Sequence, residues 1–156
     1  MKTAIDLGPR GKAGVEGWYE TNGPVTYIYL HGSDHWYDWF LHALPWVALL
    51  ERRAAKQIAQ QLPESTLYLI GAHSAGFPVA CSLARMLSAK VVGYGGKRPL
   101  RLVPDCINHC NVKDIVPYLP PWRPKPPTAV WYRGHENMYE AHQPRAYYAL
   151  MQEDGF

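Results

Sequence analysis

Apolar residues in this chain fall into two patterns, short runs of strand character and longer stretches of helical spacing, and the two alternate. Residues 15–20 and 25–30 read as strands joined by Thr21-Asn22-Gly23-Pro24, because Asn-Gly is a strong turn signal and Val25-Thr-Tyr-Ile-Tyr-Leu30 is β-branched and aromatic. The segment from His31 to His42 is polar and aromatic and reads as a loop. From Trp46 to Leu62 the positions Val47, Leu50, Ala54, Ile58 and Leu62 recur at helical spacing, and Pro63 closes that helix. Thr66 to Ile70 is a continuous apolar run of the kind buried parallel strands show. Beyond Ser74 the helical period returns, with Val79, Leu83 and Leu87 on one face, and Pro78 sits where a first turn does not need its missing amide. Lys90 to Tyr94, Asp105 to His109 and Thr128 to Tyr132 read as further strands, and a last helix starts around Pro144 and packs through Ala146, Tyr147, Leu150 and Met151. The prolines at 117, 120, 121, 124, 126 and 127 mark an extended loop. Strands alternating with helices predict an α/β protein with a mostly parallel central sheet flanked by helices.

The junction at residues 69–76 carries the most chemistry. A nucleophilic serine on such a fold sits where a strand reverses sharply into a helix, and the turn needs small residues two positions to either side. Ala72 and Gly76 flank Ser74 in this way, with Ala72 standing where glycine is usual. The amide of Ala75 would then point at a substrate carbonyl oxygen and supply half of an oxyanion hole. The competing reading is that Ser74 merely caps the helix.

Composition narrows the classes. With 156 residues, one domain spanning 1–156 is expected. A net charge of +3, spread along the chain, is too mild and diffuse for a nucleic-acid partner. No stretch reaches the roughly eighteen apolar residues of a membrane span, and the N-terminus has no apolar signal segment, so a cytoplasmic location is expected. Cys81, Cys106 and Cys110 are an odd set without a paired framework, which fits a reducing compartment. Cys106 and Cys110 bracket His109 but lack a second ligand pair, so no metal site is expected there.

Four short segments, in order between residues 29 and 121, resemble the class 3 lipase family, the fungal triacylglycerol lipases and their bacterial relatives. His73-Ser-Ala-Gly76 resembles the family's Gly-His-Ser-Leu-Gly-Gly turn, and Tyr29-Leu-His-Gly-Ser33 with Asp38-Trp39 is similar to its strand ending in Arg-Gly-Thr or Arg-Gly-Ser followed by Asp-Trp. Tyr94-Gly-Gly-Lys-Arg-Pro99 is similar, in scrambled order, to Phe-Gly-x-Pro-Arg. Asn111-Val-Lys-Asp-Ile-Val-Pro-Tyr-Leu-Pro-Pro121 is close to Asn-x-x-Asp-x-Val-Pro-x-Leu-Pro.

The resemblance implies a minimal α/β-hydrolase fold and a serine hydrolase that cleaves carboxylic esters, esterase- or lipase-like, without metal or organic cofactor. It implies that Ser74 attacks the ester carbonyl, that Asp114 orients the general base, and that Ser33 supplies an oxyanion donor beside Ala75. Asp105 is the fallback for Asp114. The base should follow Asp114 in the chain, which leaves His135 and His142, and His142, before the last helix, is preferred. His73 is expected to point away from the reaction centre as a structural hydrogen-bonder. Trp36, Tyr37, Trp39, Phe40 and Trp122 either line an apolar pocket, with membrane-surface contact then open, or seal a small core. The chain is far shorter than typical family members, so a substantial helical lid is not expected. A small-molecule ester or lipid is the expected substrate. A thioesterase or amidase on the same triad, and a non-catalytic lipid- or partner-binding protein, are the alternatives.

Overall fold

The computed structural model describes residues 1–7, 14–32, 46–101, 103–125, 128–134 and 137–153, the last four for their backbone alone. Among these, seven strands form one sheet in chain order: β1 (Thr3–Ala4), β2 (Val15–Asn22), β3 (Val25–Gly32), β4 (Leu67–His73), β5 (Lys90–Tyr94), β6 (Cys106–Asn111) and β7 (Ala129–Tyr132). The pairings β1–β2 and β2–β3 are antiparallel, and the four from β3 to β7 are parallel. Three helices accompany them, α1 (Val47–Ala59), α2 (Gly76–Leu87) and α3 (Pro144–Glu153). This is a mixed α/β fold with a largely parallel sheet. None of the described helices is long and apolar enough to cross a membrane.

The hairpin of β2 and β3 turns through Gly23 and Pro24, with Gly23 at φ +57°, the positive value that the first central position of tight hairpin turns requires. From β3 onward every parallel step moves the same way across the sheet. Right-handed crossovers then place successive helices on the same face, and α1 and α2 do pack on each other. Strand alternation turns Ile28, Leu30, Ile70, Ala72 and Val91 toward them, where they form the core with Ala54, Ala55, Ile58, Val79 and Leu83. Each of the large aliphatic side chains buried there contributes roughly 1.5–3 kcal/mol. The segment 140–144 and α3 approach the opposite face at the carboxyl end of the sheet, where His73 packs against them.

Several boundaries differ from the sequence expectation for definable reasons. The first helix stops at Ala59 rather than Leu62, because Pro63 has no N–H to offer the Ala59 carbonyl. β4 runs on to His73 through Gly71 and Ala72, which have poor strand propensity, because pairing on both edges overrides it. β6 is shifted to Cys106–Asn111, and β1, only two residues long, has no period to read. The proline-rich stretch is not wholly extended, since Val116–Tyr118 makes a 3₁₀ turn. The expected loop 31–42 begins as the end of β3, and its residues 33–42 lie outside the described part.

Phe77, completely buried at the start of α2, fills the space left by two glycines: a Cβ on Gly93 or Gly96 would lie 2.3 or 2.4 Å from its atoms. Phe77→Ala is expected to cost about 3–5 kcal/mol, read as a fall in the urea midpoint at unchanged slope.

Candidate active site

Ser74 follows the last residue of β4 and holds φ +55°, a left-handed conformation that costs a non-glycine residue about 1–2 kcal/mol. The conformation is held by backbone bonds on both sides. The Ser74 amide donates to the Tyr94 carbonyl at 3.2 Å, and its own carbonyl accepts from Phe77 and Lys97, each at 3.2 Å. The turn is also wedged against β3. A Cβ added to Gly32 would stand 2.6 Å from the Ala75 nitrogen, and one added to Gly76 would stand 2.6 Å from the Leu30 carbonyl oxygen. Ala72 is fully buried in the core, so its methyl group takes a place that is packed rather than strained.

The reversal lifts the Ser74 hydroxyl to the carboxyl edge of the sheet, where it meets His142 at 2.9 Å from Nε2. On the other side of the ring, His142 Nδ1 donates to Asp114 Oδ2 at 2.7 Å. That bond selects the tautomer with an unprotonated Nε2, so the Ser74 hydroxyl donates to it. Asp114 has no exposed surface and accepts two further bonds, from the Tyr147 hydroxyl to Oδ2 at 2.6 Å and from the Val116 amide to Oδ1 at 2.8 Å. Burial first, then the charge of Asp114, push the Tyr147 phenol well above its ordinary range, so it stays a donor. Burial and Asp114 also push the Cys110 thiol up to about 12, leaving it inert. An arrangement of this kind can accept the serine proton as the oxygen attacks, and can stabilise the imidazolium that forms.

Comparison with models of known protein families found none that matches the chain, and curated proteins gave no match. The likeness to class 3 lipases therefore rests on the four motifs alone.

The structure brings together Ser74, Asp114 and His142, and leaves Asp105 exposed at the foot of β6. The Ala75 amide, beside the N-terminus of α2, donates to nothing among the described residues. Ser33, the other expected oxyanion donor, lies outside the described residues, as do His135, Asp38, Trp39 and the aromatic residues 36, 37 and 40. His73 does make the expected structural bond, with its Nε2 at 2.8 Å from the His142 carbonyl oxygen. It is nonetheless close to the centre, because its ring stacks on that of His142 at 4.8 Å. Tyr147 was legible only as a packing residue of the last helix; a tyrosine on an otherwise apolar helix face was the available signal that a buried hydroxyl needs a partner. Cys106 and Cys110 face one side of β6 and His109 the other, so the three do not converge. No group of three His, Cys, Asp or Glu residues placed to hold a metal occurs among the described residues.

Behind the turn lies a buried charge cluster. Arg123 Nη1 reaches both carboxylate oxygens of Glu51, at 2.8 and 3.0 Å, and ties α1 to the proline-rich loop. Burial pushes the Glu51 carboxyl up, and the bonds and charge of Arg123, with the charge of Lys97, hold it back. Lys97, whose amide bonds Ser74, is itself buried, and burial lowers its ammonium to about 8, against the pull of Glu51 and with the repulsion of Arg123. In the unfolded chain the group titrates near 10.5, so between about 8 and 10.5 the unfolded state binds the extra proton and stability rises with pH. Lys97→Met should therefore be more stable than the parent at pH 7, and the gap should shrink by up to roughly 3 kcal/mol by pH 10.5. Urea unfolding of both proteins across that range checks it; parallel curves would show Lys97 titrating normally.

Proposed function

We propose that this chain is a serine hydrolase that cleaves carboxylic esters through an acyl-serine intermediate. The hydrogen-bonded series Ser74–His142–Asp114, built on a serine in left-handed conformation at a strand-to-helix reversal, is the observation that carries the reading. Ser74 Oγ attacks the ester carbonyl carbon while its proton passes to His142 Nε2. The oxyanion formed takes a hydrogen bond from the Ala75 amide, with Ser33 the expected second donor. Collapse breaks the bond to the alkoxy group, which leaves with the proton from His142. Water then repeats the sequence on the acyl-serine, returning the free serine and a carboxylic acid. Asp114 holds the imidazole in the reactive tautomer throughout and stays ionised.

Hydrolysis of p-nitrophenyl esters of graded chain length tests the reading. Ser74→Ala and His142→Ala are each expected to lose about 10⁴-fold or more in kcat, with a fluorophosphonate labelling the parent at Ser74 and leaving Ser74→Ala unmodified. His135→Ala is expected to keep most of its activity. Turnover retained by Ser74→Ala would remove the nucleophile from the mechanism.

Tyr147 acts through Asp114 as a positioning residue. Without its hydroxyl the carboxylate loses one of three donors, so its negative charge bears more strongly on His142. Tyr147→Phe should lose about 1.5–3 kcal/mol of stability. The acid limb of its kcat/KM profile should move to higher pH, a displacement that a packing defect alone would not produce.

A further inference from the structure

The parallel crossover from β6 to β7, like that from β5 to β6, runs without an α-helix among the described residues. A proline-rich loop takes its place, and a loop does not fill the space over the sheet as a helix does. Between the two lies a cavity of about 360 Å³. Its floor is the helix-side face of β6 and β7, with Asn108, Cys110 and Trp131, and its roof is Tyr118 and Lys125. Arg98 closes one side.

The chemistry of the lining is one-sided. Arg98 is 7 % exposed, and among the described residues its side chain donates only to neutral carbonyls: Nε to that of Pro117 at 3.4 Å, Nη1 to those of Pro121 at 2.9 Å and Arg123 at 3.4 Å. Its Nη2 donates to nothing among the described residues. The buried carboxylate of Glu51 is held by Arg123, and none of the described residues lining the cavity is acidic. Lys125 adds a second cation. Tyr118 and Trp131 line the same cavity with ring centroids 5.1 Å apart and planes at 41°, a half-exposed aromatic pair. A guanidinium without a counter-ion in a confined site favours a planar oxyanion, and the aromatic pair favours a flat apolar body attached to it. The volume is within the range of roughly 300–1,000 Å³ typical of small-ligand sites.

We propose that this cavity is a second ligand site, separate from the Ser74 centre, for a small aromatic carboxylate whose oxygens meet Arg98 and Lys125 and whose ring lies against Tyr118 and Trp131. Binding of 2-naphthoate, measured by calorimetry, tests it, with 2-naphthamide as the neutral probe of the same shape. Arg98 also holds the loop, so the informative variants are at the exposed Lys125 and Trp131.

Saturable binding of one naphthoate per chain is expected, with Kd below about 1 mM and the amide at least about tenfold weaker. Lys125→Gln should weaken the acid about 3- to 10-fold, and Trp131→Ala about tenfold, with circular dichroism unchanged. Ser74→Ala should bind as the parent does, which separates this site from a product complex at Ser74 and makes its failure distinct from failure of the ester-hydrolysis reading. Absence of saturation up to about 10 mM, equal binding of acid and amide, indifference to both variants, or loss of binding in Ser74→Ala would each overturn the proposal.

Discussion

The reversal at Ser74 places one residue in a left-handed conformation between two elements that pull in opposite directions, a strand paired on both edges and a helix packed on the sheet. Neither the strand nor the helix could be moved to relieve it. Gly32 and Gly76 let the turn approach β3 so closely that a single methyl group at either would collide with backbone. The conformational cost at Ser74 is of the order of a kcal/mol or two, while the core residues that hold α2 against β3, β4 and β5 each contribute as much or more. Packing thus sustains the strain, and the strain aims the hydroxyl.

The same edge must also carry a carboxylate away from water. Asp114 is wholly buried yet satisfied by a histidine, a tyrosine and a main-chain amide that arrive from three different segments. Removing water makes each of these bonds matter more, because an unpaired buried charge is far costlier than an exposed one. Gly95, at φ +56°, belongs to this constraint: a Cβ there would stand 2.7 Å from Asp114 Oδ2. The loop after β5 therefore serves both ends of the series, with Gly95 leaving room for the carboxylate and the Lys97 amide bonding the carbonyl of Ser74.

The proline-rich segment does two jobs that a helix could not combine. It opens with a 3₁₀ turn whose first amide, that of Val116, bonds back to Asp114, and it stays off the sheet far enough to leave a hollow between Arg98 and Trp131. Its position is set by main-chain contacts, the Arg98 amide on Leu119 and the Arg98 side chain on Pro117, Pro121 and Arg123, together with the Arg123–Glu51 pair that fastens it to α1.

Local pattern alone was enough to reveal the alternation of strands and helices, the hairpin at Gly23, the end of a helix before Pro63, and Ser74 at a turn that needs small neighbours. These are short-range consequences of period, turn chemistry and side-chain size, and each acts within a few residues of its cause. Order along the chain, with the motif around Asp114, was enough to name Asp114 and His142 as candidates. The sequence could not show that a ring 28 positions beyond Asp114 reaches it at 2.7 Å, that His73 stacks on that ring, or that Tyr147 is the third donor. Those depend on how the loops leaving β4, β5 and β6 and the turn before α3 converge at one edge of the sheet. That convergence is a property of the packed sheet, because contacts between residues far apart in sequence exist only once the strands that carry them are aligned.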